Sequence, residues 1–354
     1  LLLKKVGLIY DPLYLWHDTG AHPESALRLT AIMHVLTEAG LTSRLIPLPA
    51  RDATFDEVAL VHEPAYIRSI RDMAAKGGAW ADPDTFISPR SYDAAIRAAG
   101  GCLAATEAVL DGEIEGAFCL VRPPGHHATY RQAMGFCIFD NVAIAARYAN
   151  RRRGLDRIAI VDFDIHHGNG TQDAFYEDGA VLYFSTHQYP YYPGTGHMEE
   201  IGEGLGRGLN VNVPLPAGCG DDQFRRVFQE VLGPVLERFQ PQFLFVSAGY
   251  DGHFADPLAS MALSTPGYAE LMTFLKQEAQ QLCDGKLVVV LEGGYHLMAQ
   301  AWSVRVSIEV LLGEPPGKDP FGKPQDAADC DIDDVLKAVK LLHGLSAAEA
   351  NMRI

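Results

Sequence analysis

Arg157-Ile158-Ala159-Ile160-Val161-Asp162-Phe163-Asp164-Ile165-His166-His167-Gly168-Asn169-Gly170 passes from an apolar run straight into carboxylates, imidazoles and glycine. Positions 157–162 read as a strand buried on both faces, because their apolar residues are nearly continuous instead of alternating. A loop begins at that strand's carboxyl end. The same join recurs three times. The run 116–121 leads into Arg122-Pro123-Pro124-Gly125-His126-His127-Ala128, and 243–247 leads into Ala248-Gly249-Tyr250-Asp251-Gly252-His253. The run 286–291 leads into Glu292-Gly293-Gly294-Tyr295-His296. Short buried strands alternating with helical stretches make the βα units of a parallel sheet, whose ligands bind beyond the carboxyl ends of the strands.

Working outward, 5–10 and 181–186 complete six strong strands, and 209–213 and 43–48 are weaker ones. Helical stretches fall at 89–110, 141–152, 221–238, 266–283 and 299–312. No internal repeat or low-complexity linker divides the chain, so 1–354 reads as one α/β domain with a core over 5–313. Positions 314–354 read as a loop, with Pro315, Pro316 and Pro320, before a last helix near 332–342.

Composition narrows the function. With 354 residues, 48% apolar and 21% charged, the chain suits a folded domain with a sizeable core, not a disordered, collagen-like, coiled-coil or disulfide-scaffold class. A formal charge of −16 repels phosphate backbones and anionic membranes, so neither nucleic acid nor membrane is an expected partner. The six cysteines form no CxxC pair, which predicts free thiols in a reducing cytoplasm. Leu1 to Tyr10 is too short and interrupted for a signal peptide and reads as a first strand, and 287–291 is far below a membrane span.

The loops carry the chemistry. Asp164 and His166, two apart in extended chain, project to one side and make half of a divalent-metal site, with Asp162 behind them. Taken alone, these residues also suit a helix cap and a polar loop. Asp251 supplies a third ligand, leaving room for water and a carbonyl; taken alone it is a turn residue. So oxygen-rich a set suits Zn²⁺ and also Fe²⁺. His126 and His127, in a loop stiffened by two prolines, offer a general acid and a general base, or else a structural pair. Tyr295 after two glycines can turn its hydroxyl toward an oxyanion, although a Gly turn before a packed aromatic explains that segment equally well. Four such coincidences at strand ends argue jointly for a site.

Together with His22-Pro23-Glu24 and Arg28, Ser88-Pro89-Arg90-Ser91-Tyr92, Gly135-Phe136-Cys137, Tyr192-Pro193-Gly194-Thr195-Gly196 and Asp256-Pro257-Leu258, these motifs resemble the arginase/deacetylase superfamily. Within it they resemble the zinc-dependent histone deacetylases of the class II type, including the bacterial amidohydrolase-like members, over about 10–312. The resemblance implies a three-layer α/β/α fold around a mostly parallel sheet. It implies a zinc site of Asp164, His166 and Asp251, and a catalytic set of His126 oriented by Asp162, His127 by Asn169, and Tyr295. Phe136 and Tyr192 would wall a tunnel for a lysine side chain, with Gly135, Gly294 and Leu258 along it. Structural potassium would sit at Asp162, Asp164, His166, Ser185 and Thr186, and at Phe175, Asp178, Val181 and Leu209. The implied substrate is an acetylated lysine peptide or protein, or a small acetylated amine, and a homo-oligomer is compatible with the family.

Rival functions differ at named positions. A binuclear manganese ureohydrolase needs a second Asp where Gly168 stands. An acetylpolyamine amidohydrolase can carry Glu at the mouth, where Leu258 stands. A catalytically dead acyl-lysine binding module would not need Tyr295 and an intact ligand set.

Overall fold

In the computed structural model, residues 5–324 and 330–345 are described; positions 1–4 of the expected opening strand, and positions 325–329 and 346–354 of the expected tail, lie outside them. The strands among the described residues are β1 (Val6–Ile9), β2 (Ile46–Leu48), β3 (Ala79–Trp80), β4 (Phe86–Ile87), β5 (Gly116–Cys119), β6 (Ile158–Asp162), β7 (Val181–Gln188), β8 (Asn210–Leu215), β9 (Phe243–Ala248) and β10 (Leu287–Leu291). Eight of them form one sheet in the order β2-β1-β5-β10-β9-β6-β7-β8, and every neighbouring pair is parallel. All eight runs expected as strands are in it. Except for β2, every residue of these strands is buried, as a sheet covered by helices on both faces requires. The result is a three-layer α/β/α fold.

The order of the strands positions the site. The four loops singled out in the sequence follow β5, β6, β9 and β10, which are adjacent in the middle of the sheet. Register aligns their ends: Asp162 of β6 lies opposite Ser247 of β9, and Leu291 of β10 opposite Ala248. Helix Asn141–Arg153 starts beneath these loops because the Asp140 side chain accepts from Ala143 N, and it stops at Gly154, whose φ of 76° suits glycine.

Four details depart from the sequence reading. The expected helix 221–238 is broken into Asp221–Val227, a π turn at Phe228–Leu232, and Gly233–Phe239. Pro234 offers no N–H and its ring crowds the carbonyl four residues back, so Gly233 N instead reaches back five residues to Phe228 O. Helices Leu27–Glu38 and Pro64–Ala75 are additions, and so is the antiparallel β3–β4 hairpin. Finally, Cys219 and Cys330 are disulfide-bonded, which corrects the expectation of six free thiols. They are 111 residues apart, and they meet because the tail folds back on the helix at 221–227, where Gln223 Nε2 donates to Cys330 O at 2.9 Å. Cys102, Cys119, Cys137 and Cys283 are free and buried. No described helix is long and apolar enough to cross a membrane.

Thiol counting on the denatured, unreduced protein should therefore give four thiols per chain, rising to six after reduction. Reduction should lower Tm by about 5–10 °C, as expected for losing a long-loop disulfide in a chain of this size. Six thiols before reduction would contradict the bond.

Candidate active site

The inner end of the site is a carboxylate–imidazole–carboxylate cradle. His166 Nδ1 lies 3.1 Å from Asp164 Oδ1 and 3.1 Å from Asp251 Oδ2, and one ligand atom from each residue fits within 4.8 Å of the others. Both carboxylates are buried and His166 is nearly so. The backbone fixes them: Asp164 accepts from His166 N at 2.9 Å and Gly293 N at 2.8 Å, and Asp251 from Ile165 N at 3.1 Å. Burial opposes charge on His166, but Asp251 and Asp164 outweigh it and raise its pKa to about 10. Burial and the neighbouring Asp164 push the Asp251 acid up. A cradle that draws positive charge this strongly fits a divalent cation bound by two oxygens and one nitrogen, with a position left open.

The histidine pair stands beside it with its rings 4.0 Å apart. His126 Nδ1 meets Asp162 Oδ2 at 3.0 Å, and His127 Nδ1 meets Asn169 Oδ1 at 2.9 Å. One partner is charged and the other neutral, and the two rings diverge accordingly. Burial disfavours charge on His126, but Asp164 and Asp162 overcome it and hold its pKa well above the ordinary imidazole range. Burial and the charges of His126 and His166 hold His127 well below that range. The Tyr183 hydroxyl donates to Asp162 Oδ2 at 3.0 Å, steadying the charged partner.

Tyr295 completes the group. Its N–H and that of His296 donate to Asp256 Oδ2 at 2.6 and 2.9 Å. Arg28, fully buried, donates to the carbonyls of Glu292 and Gly294 and lies 5.1 Å from the Tyr295 ring centroid. Its charge is balanced by Glu24, which also accepts from Arg122; burial would raise Glu24, but Arg122, His17 and Arg28 bring it to about 2. Burial, opposed by Arg28, raises the Tyr295 phenol well above its ordinary range, so the hydroxyl keeps its proton to donate.

Aromatic walls lead to this chemistry. The Phe136 ring packs edge-on to Tyr295 at 5.6 Å, and Tyr192 packs edge-on to His127 at 5.1 Å. Gly135, with φ of 55°, runs so close that a Cβ there would overlap the His127 ring. Leu258 is half-buried, and its carbonyl accepts from the Tyr191 hydroxyl at 2.8 Å. Gly168 also excludes side chains, since a Cβ would overlap Asp162 Oδ2 and the Tyr183 hydroxyl. The second aspartate of a binuclear site has no room there.

The structure thus brings together His126, His127, Asp162, Asn169, Asp164, His166, Asp251, Tyr295, Phe136 and Tyr192. Of the residues named for potassium, Ser185 Oγ bonds His187 Nδ1 at 2.9 Å, Thr186 lies beside it in buried β7, the Asp178 carboxylate pairs with Arg147, and Leu209 O accepts from Tyr183 N at 2.8 Å. Sequence reasoning gave no role to Tyr183, Glu292, Arg28 or Asp256, nor to Tyr191, whose ring stacks on His166 at 5.5 Å. For Arg28 a signal existed: its i,i+4 spacing from Glu24 inside a motif. It also missed two carboxylates beside the walls. Asp84 N donates to Asp82 Oδ1 at 2.9 Å, and Thr85, whose hydroxyl donates to Asp84, accepts from Phe136 N at 3.0 Å. Burial, then the charge of Asp84, raise the Tyr192 phenol.

Comparison with known proteins adds the chain's likeness in sequence and fold. A profile of the histone deacetylase domain matches residues 22–311. A probable deacetylase of Archaeoglobus fulgidus is 46% identical over 292 residues, which cover 82% of this chain and 81% of that protein. The histone deacetylase-like amidohydrolase of Pseudomonas aeruginosa is 38% identical over 83% of this chain and 82% of its own length. The human polyamine deacetylase HDAC10 is 38% identical over 85% of this chain and 46% of its own length. The crystal structure of the HDA15 HD domain superposes with a TM-score of 0.88 at 34% identity, covering 99% of this chain and 98% of that one.

The asymmetry of the histidine pair is testable by NMR titration of the ring carbons. The His127 ring should stay neutral well below the ordinary imidazole pKa, because burial and two neighbouring cations disfavour its charge. Asn169→Asp puts an anion on its Nδ1 and should move its titration up by about one pH unit or more. An unchanged titration in Asn169→Asp would contradict the assignment.

Proposed function

The chain belongs to the histone deacetylase family and is a deacetylase; on that basis we propose that it hydrolyses the acetyl amide of lysine side chains in peptides or proteins, releasing acetate and a free amine. The observation that carries this reading is the cradle of Asp164, His166 and Asp251 beside two histidines of opposite charge preference. These three residues would hold one Zn²⁺, Fe²⁺ being the chemical alternative, and the bound ion would polarise the acyl carbonyl and acidify the attacking water.

The chain's own groups do the rest. Phe136 and Tyr192 would grip the methylene chain by apolar contact and exclude water. Neutral His127 would take the water's proton at Nε2 as attack begins, its Nδ1 being held by Asn169. His126, kept protonated by Asp162 and Asp164, would give a proton to the leaving nitrogen. Tyr295 would donate its hydroxyl to the developing oxyanion.

A second reading, an acetylated polyamine as substrate, is supported by the Asp82–Asp84 pair beside Tyr192, which would attract a distal ammonium. Leu258 at the rim supports lysine, since it puts no carboxylate on its own side. For structural potassium we keep the two sites implied by resemblance. At the second, backbone carbonyls would do the holding, because the Asp178 carboxylate is paired with Arg147. We propose the cytoplasm as compartment on the scattered cysteines without a CxxC pair, four of which are free thiols; the Cys219–Cys330 bond is the feature that counts against it.

With a fluorogenic acetyl-lysine peptide, Tyr295→Phe should lose roughly 10²–10³ in kcat, the usual cost of one oxyanion donor. His127→Ala should nearly abolish turnover without loss of metal, and a chelator should abolish it reversibly. Near-full activity of Tyr295→Phe would refute its role. On substrate choice, kcat/KM should be higher for acetyl-lysine peptides than for acetylspermidine at physiological salt, and Leu258→Glu should narrow the gap. A preference for the polyamine of about tenfold, some 1.4 kcal/mol, would replace the lysine reading with the polyamine one.

A further inference from the structure

Glu292 follows β10 directly, is fully buried, and has no part in the chemistry above. Its Oε2 accepts from Gly125 N at 2.7 Å and His126 N at 3.2 Å. The His126 carbonyl is gripped from the other side by Gly170 N at 2.9 Å and Thr171 N at 3.2 Å. The carboxyl oxygen therefore holds the backbone of the proposed acid by its amide, while Asp162 holds the ring. The next residues reach the other parts of the site: Gly293 N donates to Asp164 Oδ2, Arg28 takes the carbonyls of 292 and 294, and Tyr295 N is fixed by Asp256. One tetrapeptide thus touches the metal cradle, the oxyanion donor and the histidine pair, and Glu292 is its only link to the pair through a side chain among the described residues.

Glu292, His126 and Cys137 also lie within 4.8 Å of one another, a spacing that suits a second metal site. Part of this set is committed elsewhere. Glu292 Oε2 takes two N–H donors, His126 Nδ1 is committed to Asp162, and burial raises the Cys137 thiol well above its ordinary range. Keeping a carboxylate here is unfavourable: burial raises Glu292 to about 8, with His126 and Gly125 N lowering it and Asp140 and Asp162 raising it. An apolar residue would leave the Gly125 and His126 N–H groups unpaired, so the carboxyl group matters here for what its oxygen holds.

We propose that Glu292 is a positioning residue that registers the His126–His127 pair against the metal cradle and Tyr295; this rests on reading that pair as acid and base. Glutamine can present its amide oxygen to the same two N–H groups, whereas alanine leaves both unpaired and the loop free to shift.

The test compares Glu292→Gln with Glu292→Ala in the metal-loaded protein. Glu292→Ala should lose roughly 30–100-fold in kcat with KM within about threefold, the signature of misplaced groups rather than lost binding. Glu292→Gln should recover kcat to within about fivefold of wild type. The His126 Nδ1 proton, bonded to Asp162, gives a downfield NMR resonance that should be kept in Glu292→Gln and shifted or broadened in Glu292→Ala. If Glu292→Ala does not fold, Glu292→Asp, whose shorter arm withdraws from His126 N, takes its place. Wild-type kcat in Glu292→Ala, or equal loss in both variants, would overturn the proposal. If the wild type hydrolyses no acetylated amine, the function falls while the NMR comparison still decides the positioning.

Discussion

Two carboxylates, Asp164 and Asp251, are buried around one imidazole nitrogen at the centre of the sheet's carboxyl edge. Like charges this close and this dry repel, and they persist only where a cation or a proton sits between them. Much of the structure follows from supplying that arrangement. β6 and β9 must be neighbours in register for Asp164 and Asp251 to meet, and both are. Gly293 must pass close enough to give its N–H to Asp164, and a Cβ on it would overlap the Asp251 carboxylate. The loops are buried, so their backbone groups need partners, and the oxygens of Asp164 and Asp251 provide several of them.

The same concentration of negative charge separates the two histidines. Both rings are buried at the same depth, and burial alone would make both neutral. Asp164 and Asp162 face His126; His127 also feels Asp164, but its ring partner is the neutral Asn169, and His126 and His166 oppose its charge. The difference between Asp162 and Asn169 as ring partners adds to the pull of Asp164 on His126, and on the proposed reading each histidine would then hold the protonation state its task requires.

Much of this was legible because burial leaves a pattern. Strands covered on both faces appear as unbroken apolar runs, so all eight sheet strands were readable, β2 and β8 less clearly because their runs are short or carry Asn and Pro. The aspartate and histidine loops were readable because they concentrate chemically unusual residues at strand ends. What failed to show were partners that approach from elsewhere. Tyr183 sits in the middle of β7 and looks like a core aromatic, yet its hydroxyl reaches Asp162. Glu292 looks like the start of a glycine turn. Asp82 and Asp84 lie in a hairpin too short to announce itself, and Cys219 and Cys330 carry no spacing that pairs them. Gly233-Pro234 did carry a signal for the π turn, overridden by the helical periodicity on either side.

The most direct test of the account is where a divalent ion binds. In crystals grown with Zn²⁺, an anomalous difference map at the zinc edge should show one strong peak per chain, bounded by Asp164, His166 Nδ1 and Asp251. A strong peak elsewhere, above all beside His126, Cys137 and Glu292, or a pair of ions in the cradle, would contradict it.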